Sequence, residues 1–550
     1  MVKIIITFFI ILISFSCKSQ FTSIDEIKLI DDKRISQLIS DSINNFSISY
    51  MNRNTSTYQN TITKYSNRFK INSFTFSYDY QFNNKLPISY NDGNFFPAKG
   101  DQKRYSVGLN LHWKYFDFNL QPEIVNIENL PQEKFYGDIQ DQNFWTRYFY
   151  QVANNIDNFR QFGNAPINFT SPGQSRIGIA GDKISFGYSS ENFWWGPGLR
   201  NSLIFTNTSP GFYHYYFQTH KPIDFILGKL EFNAIYGQLD SLKFSDPDIS
   251  IMNSIWSGAI IDKNPNTRNL YAFLFNINLK HLPNLYLGYG YSSQSYNNDF
   301  NKYGIKYSKF SNDKPKLSLG VLLFRFVLPK DHVEFYGELG LPNLSPWPWN
   351  FFSDTSKTGF ILGARKVLPL RNKSSNFELS VELTQLSLMD PRNIFVSGYP
   401  FGVPKYNSWY TSPIIRQGHT NQAQLLGSSI GPGSNSQSIN FSWNKGFSKV
   451  GIFFERIANN NDFYHYHYIS ERIGYSKADA YWVDINNGAY LQLCLLKNIL
   501  LSVSYTNTLS MNYRWTKNFK AEDFAQPGID SDKTNLQFKF SIKYLLNANH

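Results

Sequence analysis

The chain has 550 residues, a formal net charge of +12, and 17% aromatic against only 17% charged residues, with 49 Phe, 36 Tyr and 11 Trp. Aromatics at about twice the usual frequency exceed what one soluble core absorbs, whereas a membrane barrel has an apolar outer wall and two aromatic girdles to hold them. Two cysteines, Cys17 and Cys494, exclude an intrachain disulfide framework once a leader carrying Cys17 is removed. The basic balance invites nucleic acid as a partner, but Lys and Arg are scattered rather than clustered and the N-terminus routes the chain to export, which argues against it. In a large polar lumen the same excess suggests that something acidic binds there.

Residues 1–19 have the layout of a secretory signal peptide: Lys3, an apolar run from Ile4 to Phe15, then small or polar residues, with cleavage expected between Ser19 and Gln20. The alternative is a lipoprotein signal acylated at Cys17, for which Phe15 before Ser16 makes a poor recognition site. No later stretch approaches the roughly 20 apolar residues a spanning helix needs. Entry into a membrane must therefore be by strands. Residues 20–65 are polar and weakly patterned and read as a periplasmic lead-in with a small helix around 24–40.

From residue 66 to 550 the dominant signal is period-two alternation, which places every second side chain on one face of a strand. Phe74, Phe76, Tyr78, Tyr80 and Phe82 alternate with Ser73, Thr75, Ser77, Asp79 and Gln81; Tyr105, Val107, Leu109, Leu111 and Trp113 alternate with Ser106, Gly108, Asn110, His112 and Lys114. The pattern returns at Phe377, Leu379, Val381 and Leu383 around Glu378, Ser380, Glu382 and Thr384, and again from Leu536 to Tyr544. Less clean stretches lie near 177–188, 223–237, 271–292, 316–328, 333–340, 359–367, 437–456 and 487–509. The apolar phase flips at Tyr115/Phe116 and at Leu323/Phe324, as a bulge or tight turn would make it do. Connections at 83–103, 126–176, 341–357, 387–436 and 510–533 read as extended outer loops. A soluble sandwich also alternates, but its strands are shorter and its inward positions favour Val, Ile and Leu. The fold class expected is all-β: a transmembrane antiparallel barrel of about 18 strands with a short N-terminal periplasmic segment.

Residues 181–211 read GDKISFGYSSENFWWGPGLRNSLIFTNTSPG. With Gly228-Lys229-Leu230, Gly237-Gln238-Leu239, Pro283-Asn284-Leu285, Glu334-Phe335-Tyr336-Gly337-Glu338, Gln417-Gly418-His419-Thr420-Asn421 and Ile430-Gly431-Pro432-Gly433 following in order, this resembles the capsule assembly protein family, Wzi-like, over most of the chain from about residue 100. The resemblance implies an 18-stranded outer-membrane barrel that binds exported polysaccharide and helps hold a capsule at the cell surface.

In the turn at 194–198, Pro197 fixes one φ while Gly196 and Gly198 permit tight or left-handed geometry. Trp194 and Trp195 would then stand at a rigid corner, where flat indoles suit stacking on the C–H face of a sugar; the plainer reading is a structural pair at the membrane interface or plugging the lumen. Arg160, Arg200 and Arg416, with His419, are the further candidates for glycan contact, arginine offering forked donors to uronic carboxylates or phosphates. Lumen arginines equally pair with lumen carboxylates such as Glu334, Glu338, Glu378 and Glu382. Those glutamates stand four apart on strands, roughly 13 Å, beyond the about 5 to 9.5 Å of a glycosidase carboxylate pair. His465 and His467 alternate as on a strand face and would need a third ligand to hold a metal. No nucleophile elbow, zinc signature, phosphate loop or dinucleotide fingerprint is present.

The expectation is a monomeric, non-catalytic barrel without cofactor or metal, contacting outer-membrane lipid and binding a capsular or extracellular polysaccharide, expected to be acidic. A channel for sugars or other solutes is the alternative, and a barrel hydrolase a second.

Overall fold

The computed structural model describes residues 26–39, 48–54, 70–131, 142–158, 162–163, 165–241, 257–298, 316–342, 358–371, 375–388, 407–470, 480–495, 498–515 and 531–547. The signal-peptide reading, Cys17 and Arg160 fall outside them.

Among the described residues two elements precede the wall: helix α1 (Glu26–Ile39), where the sequence places one, and β1 (Asn52–Asn54). The wall opens with β2 (Lys70–Asn83) paired to β3 (Gly100–Trp113). Parity decides which side each residue faces: Phe74 and Phe76 look outward, 42% and 41% exposed, while Ser77, Asp79 and Gln81 are buried inside. Next come β4 (Phe116–Leu120) and β5 (Glu123–Ile127), two halves of one stave broken at Gln121-Pro122. The following stave is β6 (Ile167–Ser171) plus β7 (Arg176–Ala180). After β8 (Ile184–Ser189), β10 (His214–Thr219) and β11 (Ile223–Phe225) form a third broken stave. The rest are β12 (Gly228–Leu239), β13 (Arg268–Leu279), β14 (Leu285–Tyr296), β15 (Leu317–Leu328), β16 (Val333–Pro342), β17 (Gly359–Pro369), β18 (Ser375–Gln385), β21 (Asn435–Lys445), β22 (Ser448–Ala458), β23 (Val483–Leu495), β24 (Ile499–Met511) and β25 (Lys533–Asn547). With three staves each split in two, the 21 wall segments make 18 staves, all antiparallel, and β25 pairs with β2 to close the barrel. Closure removes every unpaired edge, which hydrocarbon would penalise.

The connections alternate in length. One end carries tight turns, such as Lys114-Tyr115, Ile226-Leu227, 329–332 and 446–447; the other carries long segments, such as 84–99, 190–213, 386–434 and 459–482. β2 begins and β25 ends at the tight-turn end, the periplasmic arrangement for such barrels, with the long connections extracellular. Trp113, Tyr115 and Phe116 are exposed at the periplasmic rim, and Tyr188 stacks on Tyr213 at 5.7 Å toward the other, so both ends carry aromatic girdles. Among the described residues no helix is long and apolar enough to cross a membrane.

The lumen face is not uniformly polar. On β2, β3 and β25 inward residues are mostly polar or charged, among them Ser77, Asp79, Gln81, Arg104, Asn110, Gln537 and Lys539, but on β13 they include Leu270, Ala272 and Leu274, and on β15 Leu319, Val321, Leu323 and Val327, these last seven all buried. Across from these lie α1, through Ile35 and Leu38, and connections folded into the barrel: β9 (Phe193–Trp195) with Leu203, Ile204 and Phe205, and 407–434, which carries the short hairpin β19 (Thr420–Asn421) and β20 (Gln424–Leu425), with Trp409, Tyr410, Leu425 and Leu426. This apolar half corrects the phase flip expected at Leu323/Phe324. Strand β15 pairs without a bulge, Leu323 faces in and Phe324 faces out, and both faces are apolar because one meets lipid and the other meets the plug. The flip at Tyr115/Phe116 is the tight turn, with Lys114 at φ 52°.

Two further expectations change. The connection assigned to 126–176 contains β6 and the start of β7. His465 and His467 belong to helix α3 (Asn461–Ser470), not a strand. In α3, His467 lies 5.1 Å from the Phe144 ring, part of an aromatic cap that joins α2 (Gln142–Tyr148) to α3 with Phe463, Trp482 and Trp515. Alternating Tyr and His suggested a pleated strand; burying one side of a helix against another aromatic helix overrode that pattern.

Candidate functional site

The turn after β9 sits deep in the lumen, and its geometry follows from what surrounds it. Gly196 has φ 141°, and a Cβ there would collide with the carboxylate of Glu338, so only glycine fits. The amides of the turn then converge on two carboxylates of the wall. Glu338 on β16 accepts from the N–H of Gly198 at 3.2 Å and of Leu203 at 2.8 Å. Glu382 on β18 accepts from the N–H of Leu199 at 2.6 Å, Arg200 at 3.1 Å and Asn201 at 2.8 Å, and from the Tyr336 hydroxyl at 3.0 Å. A run of backbone N–H groups pointing one way is an anion-binding concavity, and here the anions are the protein's own.

The carbonyls of the same turn face the N-terminal segment. Arg34 of α1 donates to Pro197 O at 2.7 Å; Arg53 of β1 donates to Gly196 O at 2.9 Å and to Gly198 O. β1 also pairs with β9, opposing Asn52 to Trp195 and Asn54 to Phe193. The Arg53 guanidinium lies 4.8 Å above the Trp194 ring. Burial, together with the nearby Arg34, pulls Arg53 down to about 9, which still leaves it charged at neutral pH. The lead-in is therefore drawn into the barrel, where it clasps this turn from below while the wall clasps it from the side.

Trp194 and Trp195 are 4% and 1% exposed, Trp194 under Arg53 and Trp195 edge-on to Phe205 at 5.0 Å, so neither ring offers an open face to solvent. Arg200 forks onto Glu455 of β22 at 3.0 and 2.7 Å. Arg416 is half-buried and donates to Asn154 O at 3.3 Å. His419 is buried, its Nε2 2.8 Å from Ile204 O and its ring stacked on Tyr410 at 5.5 Å. Burial holds His419 down to about 4, so it is neutral at physiological pH. These residues do not converge on one open surface.

Of the lumen carboxylates, Glu334 and Glu378 do pair with arginine: Glu334 with Arg325 at 2.7 Å and Arg34 at 3.0 Å, Glu378 with Arg365 at 3.1 Å. Glu338 and Glu382 instead hold backbone amides. Sequence reasoning missed Arg34, Arg53 and Glu455, because a partner some 143 to 300 residues away leaves no local signal.

The polar half of the lumen holds a cavity of about 570 Å3. It runs from the periplasmic turns, at Phe447 and Tyr544, to the underside of the 84–99 connection at Asn91 and Asp92. Six carboxylates line it (Asp31, Asp32, Asp79, Asp92, Glu123 and Glu191) against four bases (Arg104, Lys449, Lys539 and Lys543), so the chain's net positive charge is not concentrated here. No group of three or more His, Cys, Asp or Glu with metal-binding geometry occurs among the described residues.

By sequence, no family model and no curated protein matches the chain. By structure, it is similar to Wzi, an outer-membrane protein of Escherichia coli involved in group 1 capsule assembly and described as a carbohydrate-binding β-barrel, with TM-score 0.53 and 12% identity over 85% of this chain and 83% of that one. Weaker likenesses are to OccAB2 of Acinetobacter baumannii (TM-score 0.39, 9% identity, 87% and 98% covered) and the outer-membrane protein OprD of Pseudomonas aeruginosa (0.38, 9%, 89% and 97%). The likeness to Wzi is one of fold, and with the closed lipid-facing wall it identifies an outer-membrane β-barrel.

Proposed function

We propose that this chain is a carbohydrate-binding barrel that helps attach or assemble capsular or other extracellular polysaccharide at the cell surface, without catalysing a reaction. The observation that carries the reading is the filled lumen: the turn at 194–203, held by five backbone amides on Glu338 and Glu382 and capped by Arg34 and Arg53, occupies the space a conduit would leave open. The fold shared with a carbohydrate-binding barrel supports it. A long glycan offers many repeats, so weak contacts on the extracellular connections suffice to anchor it through effective concentration. In this reading the barrel works as a monomer embedded in outer-membrane lipid, since its apolar outer face is suited to hydrocarbon.

The test compares a deletion strain with its parent. Loss of the gene should release surface polymer into the medium, and complementation should restore retention; unchanged retention overturns the anchoring role. A channel for sugars or other solutes would conduct ions in planar bilayers, where a plugged anchor stays silent.

A further inference from the structure

The cavity in the polar half of the lumen is built unlike the clasped turn beside it. Its volume of about 570 Å3 lies within the roughly 300 to 1,000 Å3 of small-molecule sites. Most of its charges are already paired, Asp31 with Arg365 at 2.7 Å among them. Asp79 pairs with Arg104 at 3.1 Å, Asp92 with Lys539 at 2.5 Å, and Lys449 with Glu378 at 2.8 Å; Glu191 faces Arg176 at 2.5 Å, and Glu123 accepts from Asn94 at 2.5 Å. A charged ligand would have to enter beside paired ions and leave one charge of its own uncompensated in a low-dielectric space. A neutral polyhydroxylated ligand meets no such penalty, because carboxylate and amide lone pairs left over from these bonds accept hydroxyl protons.

The lining supplies the rest of what a sugar needs. Nine amide side chains, among them Gln81, Asn119, Gln121 and Gln492, provide donors and acceptors fixed to the wall or its connections. Gln81 is 1% exposed and its Oε1 accepts no hydrogen bond among the described residues. Tyr490 adds a flat apolar surface: it lies across Gly451, where a Cβ would strike its ring, and its hydroxyl is tied to Asn440 Oδ1 at 2.9 Å. Ser504 opposes Tyr490 in the ladder and leaves the space before it open.

From this geometry we infer that the lumen cavity is a second carbohydrate site, facing the periplasmic end and taking a short neutral oligosaccharide of one to three sugars. It rests on the carbohydrate-binding reading above but differs from it in place, size and charge of ligand, and it departs from the acidic glycan expected from net charge.

The experiment uses the full-length protein in detergent micelles and saturation-transfer NMR with three probes: maltotriose, the trimer of N-acetylglucosamine, and trigalacturonate. At least one neutral trimer should bind, at least tenfold more tightly than trigalacturonate. Ser504→Trp, which fills the space in front of Tyr490, should weaken that binding at least tenfold; heat-modifiable gel mobility reports folding of each variant. Should Ser504→Trp not fold, Tyr490→Ala should produce the same loss and Tyr490→Phe should retain the ring and the binding. Failure of both neutral trimers to bind overturns the inference, as does equal binding of trigalacturonate, or binding indifferent to Ser504→Trp and Tyr490→Ala. Polymer shed from the deletion strain scores the anchoring reading separately, so either can fail alone.

Discussion

Replacing Glu382 by alanine should free the lumen turn as a unit. The carboxylate accepts three consecutive backbone amides, Leu199, Arg200 and Asn201, and the Tyr336 hydroxyl, all within 2.6 to 3.1 Å. A buried donor left without an acceptor costs about 1 to 3 kcal/mol. With water reaching part of the vacated volume, about 4 kcal/mol of local stability should go, roughly a thousandfold in the opening equilibrium at about 1.4 kcal/mol per tenfold. Hydrogen–deuterium exchange in micelles reads this directly, provided the probes are amides that do not touch Glu382. Trp195 N–H, bonded to Phe205 O at 3.2 Å, and Thr206 N–H, bonded to Leu426 O at 2.8 Å, flank the clasp and serve that purpose. Both should lose protection by two to three orders of magnitude in Glu382→Ala, on the estimate above, and by less in Glu382→Gln, which keeps one acceptor oxygen. If exchange accelerates at residues 199–201 alone, with Trp195 and Thr206 at wild-type rates, the turn is not a cooperative unit held by this carboxylate.

Arg53→Ala removes the donor to two carbonyls of the turn and the cation over Trp194, interactions worth about 1 to 3 kcal/mol each. The β1–β9 ladder should open, seen as at least tenfold faster exchange at residues 52–54; Arg53→Lys, which keeps charge but not the planar fork, should fall between, and unaltered exchange in both would count against the clasp from below. For pH, His419 is held at about 4 in the folded chain against 6.5 for the free side chain. Between those values the unfolded state binds a proton that the folded state refuses, so stability present above pH 6.5 is lost as pH falls through the window toward 4, to about 3 kcal/mol. Asp462, which burial raises to about 6, works in the opposite sense over the same range. The assay is therefore the difference between wild type and His419→Gln in urea-induced exposure of the 407–434 segment; parallel curves from pH 7 to 4.5 would contradict the assignment of a buried neutral imidazole.

Much of the wall was legible residue by residue. Where lipid lies on one side and water on the other, as along Ser73–Phe82 and Leu536–Tyr544, the pleat writes polarity directly into the sequence, and the staves appear where the alternation is cleanest. The helix at Glu26–Ile39 was equally local. Legibility failed on β13 and β15, because their lumen-facing Leu and Val meet the plug rather than water, and period two then carries no contrast. It failed on α3 because only the packing of Phe144 against Phe463 reveals that the Tyr-His repeat is wound as a helix.

The site divides in the same way. The run of Trp, Gly and Pro at 194–198 marks a special turn by composition alone, since φ 141° at Gly196 is a requirement of one residue. What the turn faces is set by Glu338, Glu382, Arg34 and Arg53, contributed by two wall staves and the N-terminal segment, and no local pattern links positions so far apart in the chain. Sequence alone thus determined that a wall would form and which parity would face lipid, because both follow from nearest neighbours and solvent. The tertiary structure decided what fills the barrel and where a polar space remains, because those depend on which distant segments the closed wall brings together.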